Sequence, residues 1–427
     1  MPLDSAVVDR RRLGKPDGCP AGRSGSLRLC GARVALDAYS AVGADVEIEQ
    51  GRIRRIFPHA GRRRQVSPPN QEIPKVDLSG YLLLPGLVNA HDHLEFSLFP
   101  KLGCGPYPNA ERWAKDIYHP DCSPIREHLD VPKPVRLWWG GIRNLLAGVT
   151  TVCHHNGFQP EVFHNGFPVR VVERYAWSHS LRFGEDLEAA FCSSSSEIPY
   201  VIHLSEGTDA ASAAEIFELD RRGLLSSRTV IVHGVGLDDS GHELVIRRGA
   251  ALIWCPGSNL FTLGSTLSPH RIEGNPRTAL GSDSALTAGD LIDQIRIAQE
   301  LGVSPEQIFG LVTRCAADVL KLGKGDASLH AGSRADIVAV PDRGLSPAAT
   351  LVQITMSQIE LVLLAGAPRL LSHQMLSRFS ARAEAEFDVI VVDGLERYVH
   401  ADVKHLLQEA RKRLGRDLQL SGKHVWQ

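Results

Sequence analysis

Short apolar runs that end on a polar residue recur through the middle of the chain. Leu82–Ala90 leads to His91, Gly148–Cys153 to His154, Pro199–Ile202 to His203, Thr229–Val232 to His233, Ala250–Trp254 to Cys255, and Arg277–Leu280 to Gly281. Each is short and rich in Val, Ile, Leu and Ala, as expected of strands buried on both faces. A further run, Val169–Trp177, reads as one more strand. Helical periodicity fills the spaces and is clearest after Ser304, a candidate cap for a run with Ile308, Leu311, Val312, Val319 and Leu320 on one face. Alternating strands and helices predict a parallel (β/α)8 barrel of the TIM type.

The flanks read differently. Residues 27–84 carry short β-rich segments with Gly51 as a turn, and similar material returns at 332–342 and 359–371. The pattern predicts a small β-sandwich domain assembled from 27–84 plus 330–385, with the barrel of residues 85–329 inserted near Pro85 and Leu329. Residues 1–26, rich in Arg, Gly and Pro, are expected to be a flexible segment. Residues 386–427 are expected to form a helical arm, with Val403, Leu406, Leu407, Ala410 and Leu414 on its apolar face. No internal repeat is evident, and Ser193–Ser196 is the only low-complexity run.

Composition narrows the function classes. At 427 residues, 43% hydrophobic and 22% charged, the chain is long enough for one large barrel and a smaller domain. A net charge of -2 gives no global attraction to nucleic acid or anionic membranes, so a small-molecule substrate is expected. The eight cysteines are scattered without a CxxC pair, which fits reduced thiols. With no apolar targeting segment in view, the expectation is a soluble cytoplasmic protein.

The strand ends carry the chemistry. His91 and His93, two apart at the end of an extended run, point to one face while Asp92 points away. Two imidazoles can therefore grip one ion, and His203, His233 and Asp283 arrive from three later strands, as when ligands gather at the C-terminal mouth of a barrel. An ion with three neutral imidazoles and one carboxylate keeps an open position for water and lowers its pKa to about 7. Asp283 can take that water's proton, Glu206 can protonate a ring nitrogen and then the leaving group, and His233 can stabilise developing negative charge. Alone, His203 or His233 at a strand end is more often a hydrogen-bonded core residue, Asp283 also reads as a turn cap and Glu206 as an exposed loop acid; the ordered set favours chemistry.

The segments PGLVNAHDHLE, AGVTTV, HLSEG, IVHGVG, WCPGSNL, LGSDSALTAGDLIDQI and GSRADIVAV, spread over residues 27–371, resemble the amidohydrolase superfamily. Within it they are most similar to the mononuclear-metal deaminase and chlorohydrolase-like branch related to cytosine and guanine deaminases. The resemblance implies that His91, His93, His203 and Asp283 hold the metal, that Glu206 shuttles protons and that His233 polarises the substrate. Zinc is the default ion, with Fe2+ or Mn2+ also suited to such ligands. A homodimer is expected from relatives. The interval from His93 to His203 is shorter than this fold usually shows, so one βα unit is expected to be missing or reduced to a loop. No lysine stands where a binuclear relative carries its bridging one, which argues for a single ion.

Substrate contacts follow from position alone. His154 ends one strand, Trp177 and His179 the next, and Trp113 lies in an irregular aromatic segment after the HxH that reads as an entrance loop. Trp177 either stacks on a planar ring or covers the core; Asn259 either binds substrate or holds its own loop. Three functions are open at this point. The first is hydrolytic deamination of an N-heterocycle or amidine, the second hydrolysis of a cyclic amide similar to that by imidazolonepropionase, and the third a non-catalytic metal-binding scaffold.

Overall fold

The computed structural model describes residues 25–59, 73–164, 166–183, 186–379 and 386–427. The flexible segment expected over residues 1–26 lies almost wholly outside the described residues. Two parallel sheets, one of three strands and one of five, supply eight barrel strands. In chain order they are Leu87–Asp92, Val149–His154, Arg170–Val171, Ala176–Ser180, Tyr200–Leu204, Thr229–His233, Ala251–Trp254 and Thr278–Leu280. A parallel bridge between Asp92 and Asp283 brings the first strand beside the end of the last. The strands are buried throughout except the third and fourth, so the apolar runs are core on both faces.

The short interval before His203 has a specific form. The run read from sequence as one strand, Val169–Trp177, is two barrel strands separated only by residues 172–175, with no helix between them. No strand is missing; a helix is. Exposed Glu173 and Arg174 break the apolar run, and the Tyr175 hydroxyl donates to the carbonyls of His154 and Asn156, pinning the tight passage. The third and fourth strands fall in separate sheets, so the barrel's hydrogen bonding is interrupted there.

One mixed sheet carries the remaining strands, and residues from both arms of it share one apolar cluster, as in the small β domain expected from both ends of the chain. Its junction is Tyr81–Pro85, which runs parallel to Ser26–Ala35 and antiparallel to Ile337–Pro341, so both ends of the chain join across one strand. The sheet also takes in Asp388–Val392, Leu395–Val399 and Lys423–Trp426, which corrects the reading of 386–427 as a helical arm. These strands are short, and the stronger period of the helix Val403–Leu414 masked them. That helix buries Val403, Leu406, Leu407 and Ala410 and packs against Lys133–Leu146, so it is docked on the barrel.

The helix Lys133–Leu146 is buried nearly all round. Gly140 permits its approach to the turn after the HxH: a Cβ there would lie 2.4 Å from the Leu94 carbonyl oxygen. Among the described residues no helix is long and apolar enough to cross a membrane.

Candidate metal centre and active site

Strand alternation and tight turns at the strand ends bring four donors together. Nε2 of His203 lies 3.2 Å from Nε2 of His91 and 3.3 Å from Nε2 of His93. Oδ1 of Asp283 lies 3.4 Å from the first of these and 3.6 Å from the second. All four ligand atoms fall within 4.8 Å of one another. A tetrahedral ion with bonds of about 2.0–2.1 Å has ligand atoms roughly 3.3 Å apart, so the spacing fits one ion of that size.

The tautomers fit as well. Nδ1–H of His203 donates to the His179 carbonyl at 2.8 Å, leaving the Nε2 lone pair aimed at the centre. Burial pushes His91 down to about 3 and His203 well below the ordinary histidine value. Neutral imidazoles gathered at this distance can turn their lone pairs onto one cation. Burial works against the Asp283 carboxylate, but the His91 hydrogen bond and the surrounding imidazoles outweigh it and hold the group well below the usual carboxylate range. Ser258 Oγ donates to Asp283 Oδ2 at 2.5 Å, and Thr287 donates to Ser258 at 2.9 Å, fixing the free edge of the carboxylate.

Asp92 turns away from the donors, as alternation requires. It pairs with buried Arg143 and accepts from Asn144 at 2.7 Å and Ser282 at 3.2 Å. Backbone bonds from Asp283 to the His91 carbonyl and from His93 to the Asp283 carbonyl, 3.0 and 2.8 Å, tie first strand to last. Three non-glycine residues at the mouth, Ser205, His233 and Asp283, have φ of +53°, +73° and +59°. Such backbone costs about 1–3 kcal/mol each and is held where the surrounding structure fixes it.

Glu206 stands 3.5 Å from Nε2 of His233. Burial, reinforced by the charges of Asp283 and Glu215 and opposed by that of His233, raises its carboxyl to about 7. A carboxyl at that value can hold and release a proton near neutrality. Asn259 Oδ1 accepts from Nδ1–H of His233 at 2.8 Å, while its Nδ2 donates to Thr266 at 3.1 Å. This fixes the His233 ring with Nε2 toward Glu206, so His233 can stabilise negative charge through Nε2 only as imidazolium.

Several candidate contacts are placed elsewhere. His154 is fully buried, with Nδ1 3.4 Å from the Leu94 amide and its ring against Phe163, because its neighbour His155 takes the inward face. Asn259 is occupied by His233 and Thr266. Trp177 packs edge-on against His155 at 5.5 Å, behind the donors. Trp113 donates to the Leu102 carbonyl at 3.0 Å and anchors the segment that carries it. His179 does line the cavity of about 140 Å³ beside Glu206, together with Asn109, Glu111, Arg182, Phe183 and Glu215.

His155 is the residue sequence reasoning underused. Its ring stacks on His203 with centroids 4.2 Å apart and donates from Nε2 to the Ser178 carbonyl at 3.0 Å. The His154–His155 doublet was the available signal, since one of two successive strand residues must face inward.

Residues 187–367 match the model of the amidohydrolase family. A 5-methylthioadenosine/S-adenosylhomocysteine deaminase of Syntrophobacter fumaroxidans is 24% identical over 332 residues, 63% of this chain and 74% of that protein. A zinc-bound adenosine deaminase from Xanthomonas campestris superposes with TM-score 0.65 at 18% identity, covering 90% of this chain and 98% of the other. The zinc complex of atrazine chlorohydrolase from Arthrobacter aurescens gives TM-score 0.60 at 17% identity, covering 84% and 99%.

Proposed function

We propose that this chain, of which residues 187–367 match the amidohydrolase family, acts on carbon–nitrogen bonds other than peptide bonds and hydrolytically deaminates a 6-aminopurine nucleoside or a related N-heterocycle. His91, His93, His203 and Asp283 would hold one divalent ion, with zinc favoured by the zinc-bound neighbours of the same fold. Such an ion, when bound, makes hydroxide available near neutral pH.

The protein's own groups then divide the work. Asp283, ionised beside the imidazoles, accepts the proton that the attacking water loses. Glu206, protonated near neutrality, gives its proton to the ring nitrogen as water adds to the adjacent carbon. Proton return to the departing amine releases ammonia. His233, its ring held by Asn259, faces the negative charge that forms during addition and stabilises it when Nε2 carries a proton.

The observation that carries this reading is Glu206 with its raised carboxyl 3.5 Å from His233, on the strand end that also supplies His203. A scaffold needs no such acid beside a donor set. Deamination ranks above cyclic-amide opening because the relatives are named as deaminases of adenine nucleosides. The test is an ammonia-release screen over adenosine, 5'-methylthioadenosine, S-adenosylhomocysteine, triazines and hydantoin-like rings. Ammonia from at least one amino-heterocycle, lost on chelation and restored by zinc, is expected. A product acid without ammonia would transfer the assignment to cyclic-amide hydrolysis.

A further inference from the structure

The loop that carries Glu206 is held from outside the barrel's own strands. Residues 107–110, from the excursion between the first two barrel strands, run along it. The Ala110 amide donates to the Glu206 carbonyl at 2.9 Å, and the Thr208 amide donates to the Pro108 carbonyl at 2.8 Å. Asn109 and Gly207 form an antiparallel bridge. Asn109 Nδ2 donates to Asp209 Oδ2 at 2.6 Å.

Each member of that side-chain pair also caps a helix. Asn109 Oδ1 accepts from the Arg112 amide at 3.0 Å, starting Ala110–Ile117. Asp209 Oδ1 accepts from the Ser212 amide at 2.9 Å, starting Ala210–Arg221. Two helix starts are therefore joined by one hydrogen bond across the backbone of Glu206. The space between them is closed: a Cβ on Gly207 would lie 2.1 Å from Ser212 Oγ, 2.7 Å from Asn109 Cβ and 2.8 Å from the Pro108 carbonyl oxygen.

We propose that Asn109 and Asp209 are positioning residues, a clamp that sets the backbone of Glu206 and so the direction in which its carboxyl meets substrate. The role in turnover rests on the reading of Glu206 as proton carrier; the clamp itself rests on the contacts above. Asn109, Glu111 and Glu206 line the same cavity, so one half of the clamp also forms part of its wall.

The experiment pairs hydrogen exchange with kinetics on the full-length protein. Asn109→Ser keeps a capping oxygen but cannot reach Asp209, and Asn109→Asp sets two carboxylates face to face. Both should raise amide exchange across residues 205–212 by tenfold or more in protein without substrate. The exchanged pair N109D/D209N, which reverses donor and acceptor while keeping both caps, should restore protection. On a nucleoside that the wild type deaminates, the single variants should lower kcat at least tenfold with little change in KM or zinc content, and the exchanged pair should recover it. Unchanged exchange in both single variants, failure of the exchanged pair to restore it, or normal kcat despite lost protection would overturn the proposal. If the wild type releases no ammonia from any amino-heterocycle, the deaminase reading fails and the exchange data still decide the clamp.

Discussion

Nε2 of His91 and Nε2 of His203 face each other at 3.2 Å with both rings held neutral by burial. The His203 Nε2 lone pair, His91 Nε2 and the Asp283 carboxylate 3.4 Å from His91 gather within reach of one cation, which would be held by all of them. Metal-free protein should therefore gain stability on adding zinc, by about 4 kcal/mol when free zinc exceeds its Kd a thousandfold. Melting curves with and without chelator measure this, and Asp283→Ala should lose most of the increment.

Glu206 gives a pH dependence of definite sign. Its carboxyl lies at about 7 in the folded protein against an ordinary value of 4.5. Between these values the folded protein retains a proton that the unfolded chain has released, so metal-free stability falls as pH rises through this window. Glu206→Gln abolishes that loss. Metal-free wild type and variant should melt together near pH 4, with the variant the more stable at pH 8 by roughly 1–3 kcal/mol. A variant less stable at pH 8 would contradict the burial argument.

Asn259→Ala releases Nδ1 of His233 while leaving the four metal donors in place. Turnover should fall about 10- to 100-fold, as for other partners that orient a working imidazole, with zinc content unchanged. Metal analysis beside steady-state kinetics distinguishes this from a loss of the ion.

Gly140→Ala tests the packing beneath the HxH turn. The added methyl meets backbone at Leu94, which cannot move without displacing His93 beside it. Destabilisation of about 1–3 kcal/mol, read by denaturant unfolding, is expected.

The barrel and the gathering of its donors were legible because the relevant signals are local. A short apolar run leading into a histidine specifies both a buried strand and the residue at its mouth. What escaped the sequence depends on long-range partners. Glu173 and Arg174 interrupt the Val169–Trp177 run without showing that it divides into two strands, which depends on where Tyr175 bonds. Asp388–Val392 and Leu395–Val399 are an exception: they pair with each other as a hairpin around Asp393–Gly394, a local signal. Asn259 reads as a loop amide until His233, 26 positions away, is seen to use it. His154 and His155 were indistinguishable by type, and only the pleat decides which one reaches the site.

The most direct test of the central claim is the rate of ammonia release per bound zinc in Glu206→Gln against wild type, on any amino-heterocycle that the wild type turns over. The substitution leaves His91, His93, His203 and Asp283 untouched, so zinc occupancy should match. Release should slow by about 10²- to 10⁴-fold, mainly in kcat, as for loss of a positioned general acid/base. Equal zinc occupancy with near-normal ammonia release would contradict the account and move the proton-carrying role away from Glu206.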